Sequence, residues 1–282
     1  MQVKLSRGKA LNADTGFYKS IDFIEIEGLR IRYAKKGNGA PIFMLHGWGG
    51  DLHSWDALTK HLNKKNHSVL GLDMPGFGES DKLKEVWTVA DFACFFEKFV
   101  QKMYTKYGLK GNYDLIVHSF GGRVAIKSFP TKKKKAFGSL NRLILIAPAG
   151  IKHTLTLRKK IFRKLAKLGA LIFSIPGLRI FQKLARKVIY KILHTHDYER
   201  TSGVMRKTFL NVINEDLSDN LEQINCPTLI IWGTDDTYVP VEDAYLMREK
   251  VKGSKLRIVK GGRHGIHRTH AKILAGWINE FL

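Results

Sequence analysis

Short apolar runs alternate with longer, polar-spaced segments along this chain of 282 residues. Near the N-terminus, IDFIEIEG from Ile21 and LRIRYAKKG from Leu29 predict a hairpin, the first by its period-two alternation of apolar and polar positions. Four runs then follow that are apolar almost without a break: PIFMLHG, SVLGLDMPG, YDLIVHS and NRLILIAPAG. Unbroken apolarity predicts strands buried on both faces, as in a parallel sheet covered by helices. Segments at about 54–64, about 88–107 and about 120–129 lie between these runs and predict helices. After residue 215 come PTLIIWG, a helix near 241–250, KLRIVKG and a C-terminal helix from about 269. Strand–helix alternation of this kind implies a parallel sheet with right-handed crossovers.

One block breaks the alternation. Residues 151–215 hold no strand-like run and read as helices: LRKKIFRKLAKLGALIF, a break at SIPG, then LRIFQKLARKVIYKIL. Helices inserted between two sheet strands predict a cap over the carboxyl edge of the sheet, where open α/β sheets bind ligands. The expected organisation is a core in two parts, residues 1–150 and 216–282, with a helical cap at 151–215.

Composition adds limits. A hydrophobic share of 44% with 26% charged residues is that of a globular protein and excludes a disordered chain. The first twenty residues lack an apolar core of signal-peptide length, and no segment has 18 unbroken apolar residues, so a cytoplasmic protein is expected. Cys94 and Cys226 are far apart, which argues against a disulfide framework or a cysteine metal site. The formal charge of +23 would suit nucleic acid or an anionic membrane. No zinc-finger spacing or RNP-like aromatic motif is present, so no nucleic-acid partner is expected. The run TKKKK (131–135) reads as a solvated loop. Between residues 151 and 200, thirteen Lys/Arg stand against two acids and flank apolar stripes such as Ile161, Leu165, Leu168 and Ile172. Two readings stay open there: stripes buried over the sheet edge with lysines in solvent, or weak association with an anionic membrane.

Chemistry-bearing stretches fall at four predicted strand ends: LHGWGG (45–50), HSFGG (118–122), WGTDD (232–236) and GGRHGIH (261–267). Ser119 follows an apolar run and precedes Gly121 and Gly122, as a nucleophile elbow between strand and helix requires. The pattern G-x-S-x-G is met except at Val117, which stands where the first glycine is usual. A serine hydroxyl needs a base to take its proton, and the base needs an orienting carboxylate. Asp236 and His264 follow in the order serine, acid, histidine. Asp235 is the alternative to Asp236, and His267 and His270 are rivals of His264.

Together with DMPGFGES (73–80) and WGTDDTYVP (232–240), these stretches resemble the α/β-hydrolase superfamily over nearly the whole chain. The resemblance implies an α/β-hydrolase fold: a mostly parallel central sheet flanked by helices, with an inserted helical cap. It implies Ser119 as nucleophile, His264 as base, Asp236 as acid, and an oxyanion hole from the backbone N–H groups of Trp48 and Phe120. That last role makes no demand on the two side chains. His46 is expected to hold its loop, Asp73 to anchor a turn, and His118 to point away from the site. No metal or organic cofactor is expected, and His194 and His196 read as surface histidines.

The implied function is that of a carboxylesterase-like serine hydrolase, cleaving a small-molecule carboxylic ester or thioester through an acyl-enzyme on Ser119. Serine at this position, rather than aspartate, argues against epoxide hydrolases and haloalkane dehalogenases. A C–C bond hydrolase, a perhydrolase and a slow-turnover ligand receptor stay open on the same fold. The oligomeric state has no signature in the sequence.

Overall fold

The computed structural model describes residues 21–62, 67–129, 138–152 and 201–282. The strands are β1 (Ile21–Ile26), β2 (Leu29–Lys36), β3 (Ala40–Leu45), β4 (His67–Leu72), β5 (Tyr113–His118), β6 (Leu140–Ile146), β7 (Thr228–Gly233) and β8 (Lys255–Val259). They form one eight-stranded sheet in the order β1-β2-β4-β3-β5-β6-β7-β8. The expected hairpin β1–β2 is antiparallel, β2 meets β4 antiparallel, and every pair from β4 to β8 is parallel. The helices are α1 (Asp56–Thr59), α2 (Val89–Tyr107), α3 (Phe120–Lys127), α4 (Gly203–Asn214), α5 (Glu242–Lys250), α6 (Ile266–Thr269) and α7 (Ala271–Phe281). This is the α/β-hydrolase architecture.

Side-chain alternation explains the unbroken apolar runs. Phe43, Leu45, Leu115, Val117, Leu145 and Trp232 enter one core layer with Phe92, Phe96, Val124 and Met247 of α2, α3 and α5. Their strand neighbours Ile42, Met44, Ile116, Ile144, Ile146 and Ile231 enter the opposite layer with Leu58, Ile266, Leu274 and Ile278 of α1, α6 and α7. Each fully buried side chain of this size contributes about 1.5–3 kcal/mol. The longest helix, α2, begins at Thr88, which accepts the Asp91 N–H in a capping box, and ends at Gly108 in the left-handed region.

One helix differs from expectation. In place of a helix over about 54–64, a 3₁₀ turn (Leu52–Trp55) leads into the four-residue α1. The buried residues Leu52, Trp55 and Leu58 recur every third position, a spacing that suits 3₁₀ geometry better than 3.6 residues per turn. The C-terminal helix α7 runs from Ala271, close to its expected start, and the short α6 precedes it, separated by His270 at a non-helical φ of −121°. Of the expected cap, α4 is helical, while the stretches around SIPG, the basic stripes, His194 and His196 lie outside the described residues, as does TKKKK.

The order of the strands positions the site. The chain leaves β3 toward β4 on one side and returns to β5 on the other, so β3 and β5 flank the switch point of the sheet. After β5 the chain turns sharply at Ser119, with φ 51° and ψ −110°, and enters α3. Positive φ at a non-glycine residue costs on the order of 1–3 kcal/mol. Hydrogen bonds hold the turn: Ser119 N–H donates to Ile146 O, and Ser119 O accepts from Gly122 N–H at 2.9 Å and Ala149 N–H at 3.0 Å. Val117, in the place of the usual glycine, is fully buried in the core layer, and the elbow forms with it there.

Gly121 is the position that cannot grow. A Cβ there would fall near 2.4 Å from the Leu45 carbonyl oxygen, which belongs to the neighbouring strand. Gly121→Ala is expected to lose about 1–3 kcal/mol, read as a lower urea midpoint at unchanged m-value. Gly276→Ala, in open space on α7, is the control and is expected to hold or raise the midpoint by helix propensity. Equal midpoints for the two variants would contradict this account of the elbow.

Candidate active site

All of the candidate residues sit just beyond the carboxyl ends of their strands: Trp48 after β3, Ser119 after β5, Asp236 after β7 and His264 after β8. His264 Nδ1 and Asp236 Oδ2 are 2.7 Å apart. The other oxygen of Asp236, Oδ1, accepts the backbone N–H groups of Tyr238 at 2.8 Å and Val239 at 3.0 Å. With all of its side chain buried, the carboxylate is held by donors on both oxygens. With Nδ1 of His264 donating to it, Nε2 is the ring nitrogen left for other partners. Tyr238 stacks on the His264 ring with centroids 5.1 Å apart. Ser119 and His264 line the same cavity, of about 580 Å³.

The rivals are placed elsewhere. Asp235 is exposed, accepts from its neighbour Thr234 Oγ1, and donates its N–H to the Gly262 carbonyl. His270 bonds to Thr269 on the surface side of α6. His267 is buried against Trp55 and His118, at centroid separations of 5.2 and 4.0 Å, and its Nδ1 has no partner among the described residues.

His118 does not point away, as expected from the sequence. It lines the cavity, and its Nε2 bonds to the His264 carbonyl oxygen at 2.9 Å. The residue before the serine therefore ties the elbow to the loop that carries His264. Burial, then the neighbouring His267 and His264 rings, push the His118 pKa well below the usual histidine value. Burial, then Arg268 and His264, push His267 down to about 3.

The loop after β3 meets the elbow closely. A Cβ at Gly47 would fall 2.8 Å from His118 Nδ1 and 3.2 Å from Ser119 Cβ. His46 folds this loop as expected: Nδ1 donates to Gly47 O at 2.7 Å and Nε2 accepts Met74 N–H at 3.0 Å. Asp73 anchors the next turn by accepting from Leu52 and Glu79 N–H. Phe120 is the first residue of α3, so its N–H is one of the helix's orphan donors. The side chains of Trp48 and Phe120 do carry a demand that sequence reading missed. Trp48 packs edge-on to Phe77 and Phe120 at 4.8 and 5.2 Å and against Phe209 of α4 at 5.0 Å. This cluster locks the two candidate oxyanion loops together. Trp48 also lines a second cavity of about 540 Å³, with Phe77, Lys82, Leu83 and Met205. Arg123, a further wall of the first cavity, was not singled out from sequence either.

Among the described residues no cluster of His, Cys, Asp or Glu is arranged to hold a metal ion, and no helix is long and apolar enough to cross a membrane.

A family model described as serine aminopeptidase, S33, matches residues 38–270. The chain is 28% identical over 270 residues to monoacylglycerol lipase abhd6-B of Xenopus laevis, covering 88% of this chain and 77% of that protein. It is 25% identical over 298 residues to the 2-hydroxy-6-oxononadienedioate/2-hydroxy-6-oxononatrienedioate hydrolase of Klebsiella pneumoniae, covering 100% of this chain and 97% of that one. To the dihydrolipoyllysine-residue acetyltransferase component of the acetoin cleaving system of Cupriavidus necator it is 26% identical, over 79% of this chain but 59% of that protein. The chain thus spans little more than half the length of that relative. Among solved structures, a bromoperoxidase from Bacillus anthracis superposes with a TM-score of 0.69 at 21% identity, over 93% of this chain and 99% of that one, a likeness of fold.

The buried histidines give stability a pH signature. An unfolded histidine titrates near 6.5, whereas folded His267 titrates at about 3. Between those values the unfolded state binds more protons, so unfolding free energy falls as the pH falls. His267→Phe is expected to flatten that slope by about 1 kcal/mol per pH unit between pH 6 and 4, measured from urea midpoints. An unchanged slope would show that His267 is not held neutral by the fold.

Proposed function

The chain belongs to the α/β-hydrolase family described as serine aminopeptidase, S33, and from that premise we propose that it is a serine hydrolase cleaving a carboxylic ester or thioester through an acyl-enzyme on Ser119. The observation that carries this reading is the Asp236–His264 pair at 2.7 Å on the same cavity as a serine held at a positive-φ elbow. In the proposed reaction His264 Nε2 takes the proton of Ser119 as Oγ attacks the substrate carbonyl. Asp236 keeps the ring oriented and stabilises the imidazolium. The Trp48 and Phe120 N–H groups receive the oxyanion, each contributing about 3 kcal/mol to lowering the barrier. Collapse of the tetrahedral intermediate expels the alcohol or thiol, which takes the proton from His264. Water, deprotonated by the same ring, then attacks the acyl-enzyme and releases the acid.

The two cavities on either side of Trp48 suit the two halves of such a substrate. The name of the Xenopus relative, a monoacylglycerol lipase, supports ester cleavage. Carbon–carbon bond hydrolysis is the second reading, favoured by similarity over the whole chain to the dienedioate hydrolase of Klebsiella pneumoniae.

Ser119→Ala is expected to keep the fold and to lose about 10⁶-fold in turnover, measured as steady-state p-nitrophenol release from short-chain p-nitrophenyl esters. Hydrolysis near the wild-type rate in this variant would overturn the proposal, and a single burst without turnover in the wild type would favour a receptor. In the same assay Asp236→Asn is expected to reduce turnover far more than Asp235→Asn, since Asp236 alone of the two meets His264. The reverse order would mean that the acid loop is misassigned.

A further inference from the structure

Arg123 stands on the first turn of α3, four positions after Ser119, which is the non-helical residue that leads into the helix. Both line the 580 Å³ cavity, and Arg123 is 6% exposed. Its Nη1 donates to the Glu215 carbonyl oxygen at 2.7 Å, which among the described residues is the one acceptor its guanidinium takes. The carboxylates whose fields reach it are those of Glu215, Asp216 and Asp243. Glu215 is paired with Lys127 at 2.6 Å, and Asp216 accepts from Ser218 Oγ and from the N–H groups of Ser218 and Lys152. Among the described residues none of the three forms an ion pair with Arg123. Burial, acting against these carboxylates, pulls the guanidinium down to about 10, so it stays charged near neutral pH.

An arginine presents five N–H donors in a planar fork, and one is taken here. A desolvated cation in a cavity wall with carboxylates near it but none bonded to it is incompletely compensated. A carboxylate matches the remaining donors and neutralises the charge. A fatty acyl chain would do neither, and would cover the guanidinium with hydrocarbon.

We infer that Arg123 anchors a carboxylate of the substrate, so that the acyl group cleaved at Ser119 is that of a dicarboxylic acid esterified at one end. This rests on the serine-hydrolase reading above. From Phe120, the first residue of α3, to Arg123 the helix rises about 4.5 Å, which sets the second carboxylate a few carbons from the scissile carbonyl, as in short diacids. Water adds across the acyl–oxygen bond of an ester to release the diacid and the alcohol, or across the acyl–sulfur bond of a thioester to release the diacid and the thiol.

The test compares monomethyl esters of succinic, glutaric and adipic acid with methyl esters of monocarboxylic acids of equal chain length, followed by proton NMR. The wild type is expected to favour the half-esters in kcat/KM, chiefly through KM. In Arg123→Met the ratio of half-ester to neutral-ester kcat/KM is expected to fall by about 10- to 100-fold, with partial recovery in Arg123→Lys. Any packing defect from losing the Glu215 contact lowers both substrates alike and cancels from the ratio. An unchanged ratio, or a wild type that prefers the neutral esters, overturns the anchor. Binding is read separately as a thermal shift with glutarate against glutaramide. A shift with glutarate that is absent in Arg123→Met supports the anchor even if no ester is turned over, in which case the hydrolase reading alone fails. No difference between glutarate and glutaramide in the wild type counts against the anchor.

Discussion

The turn at Ser119 is the constraint on which the site depends. Here β5 leads directly into α3 through Ser119 at a positive φ, which leaves the residue at the carboxyl edge of the sheet. The turn is held because α3 approaches the sheet so closely: Gly121 lies against the Leu45 carbonyl and Gly122 against Pro148. The same approach brings the loop after β3 within van der Waals range of the serine, since Gly47 faces Ser119 Cβ and His118. The candidate nucleophile and the candidate oxyanion donors are therefore set by one packing event. The aromatic contacts of Trp48 with Phe77, Phe120 and Phe209 then remove the slack that remains.

Three histidines crowd the other side of the turn, and their environments divide their work. His118 and His267 are buried and driven toward the neutral form. His264 is partly exposed and faces the Asp236 carboxylate. Two neutral rings beside the third present no repulsion when a proton arrives at His264, whereas charged ones would. His118 adds a mechanical link, because its bond to the His264 carbonyl fixes the base loop to the elbow.

The central strands β3–β7 were legible in the sequence because strands buried on both faces leave unbroken apolar runs, and the outer strands β1, β2 and β8 appear where alternating or mixed runs lie. The turn-forming stretches were legible for a related reason: glycines and prolines at strand ends leave few alternatives. The 3₁₀ turn at Leu52–Trp55 was not, since three-residue spacing and 3.6-residue spacing differ little over four residues. The resemblance pointed to Asp236 over Asp235, and in the folded loop Asp236 meets His264 whereas Asp235 bonds to its neighbour Thr234. The side-chain roles of Trp48, Phe209 and Arg123 left no local signal. Their partners come from distant segments, as with Arg123 and Glu215, and such pairings exist only once the chain has folded.

The charge of the whole chain and the charge in the cavity act at different ranges. A net +23 attracts anions from solution, but over distances beyond about 10 Å that attraction is screened at ordinary ionic strength. It therefore raises the rate of encounter without choosing an orientation. Orientation needs a charge that solvent cannot screen, at a fixed distance from the reacting atom. Arg123 meets both conditions: it is buried, and α3 sets its separation from Ser119. An anionic acyl group drawn in by the surface field would then be held with its far end at Arg123 and its ester carbonyl at the elbow. A neutral ester of equal length gains from neither effect. Added salt would weaken the first effect much more than the second, so selectivity between the two substrates should outlast the salt-sensitive part of the encounter rate.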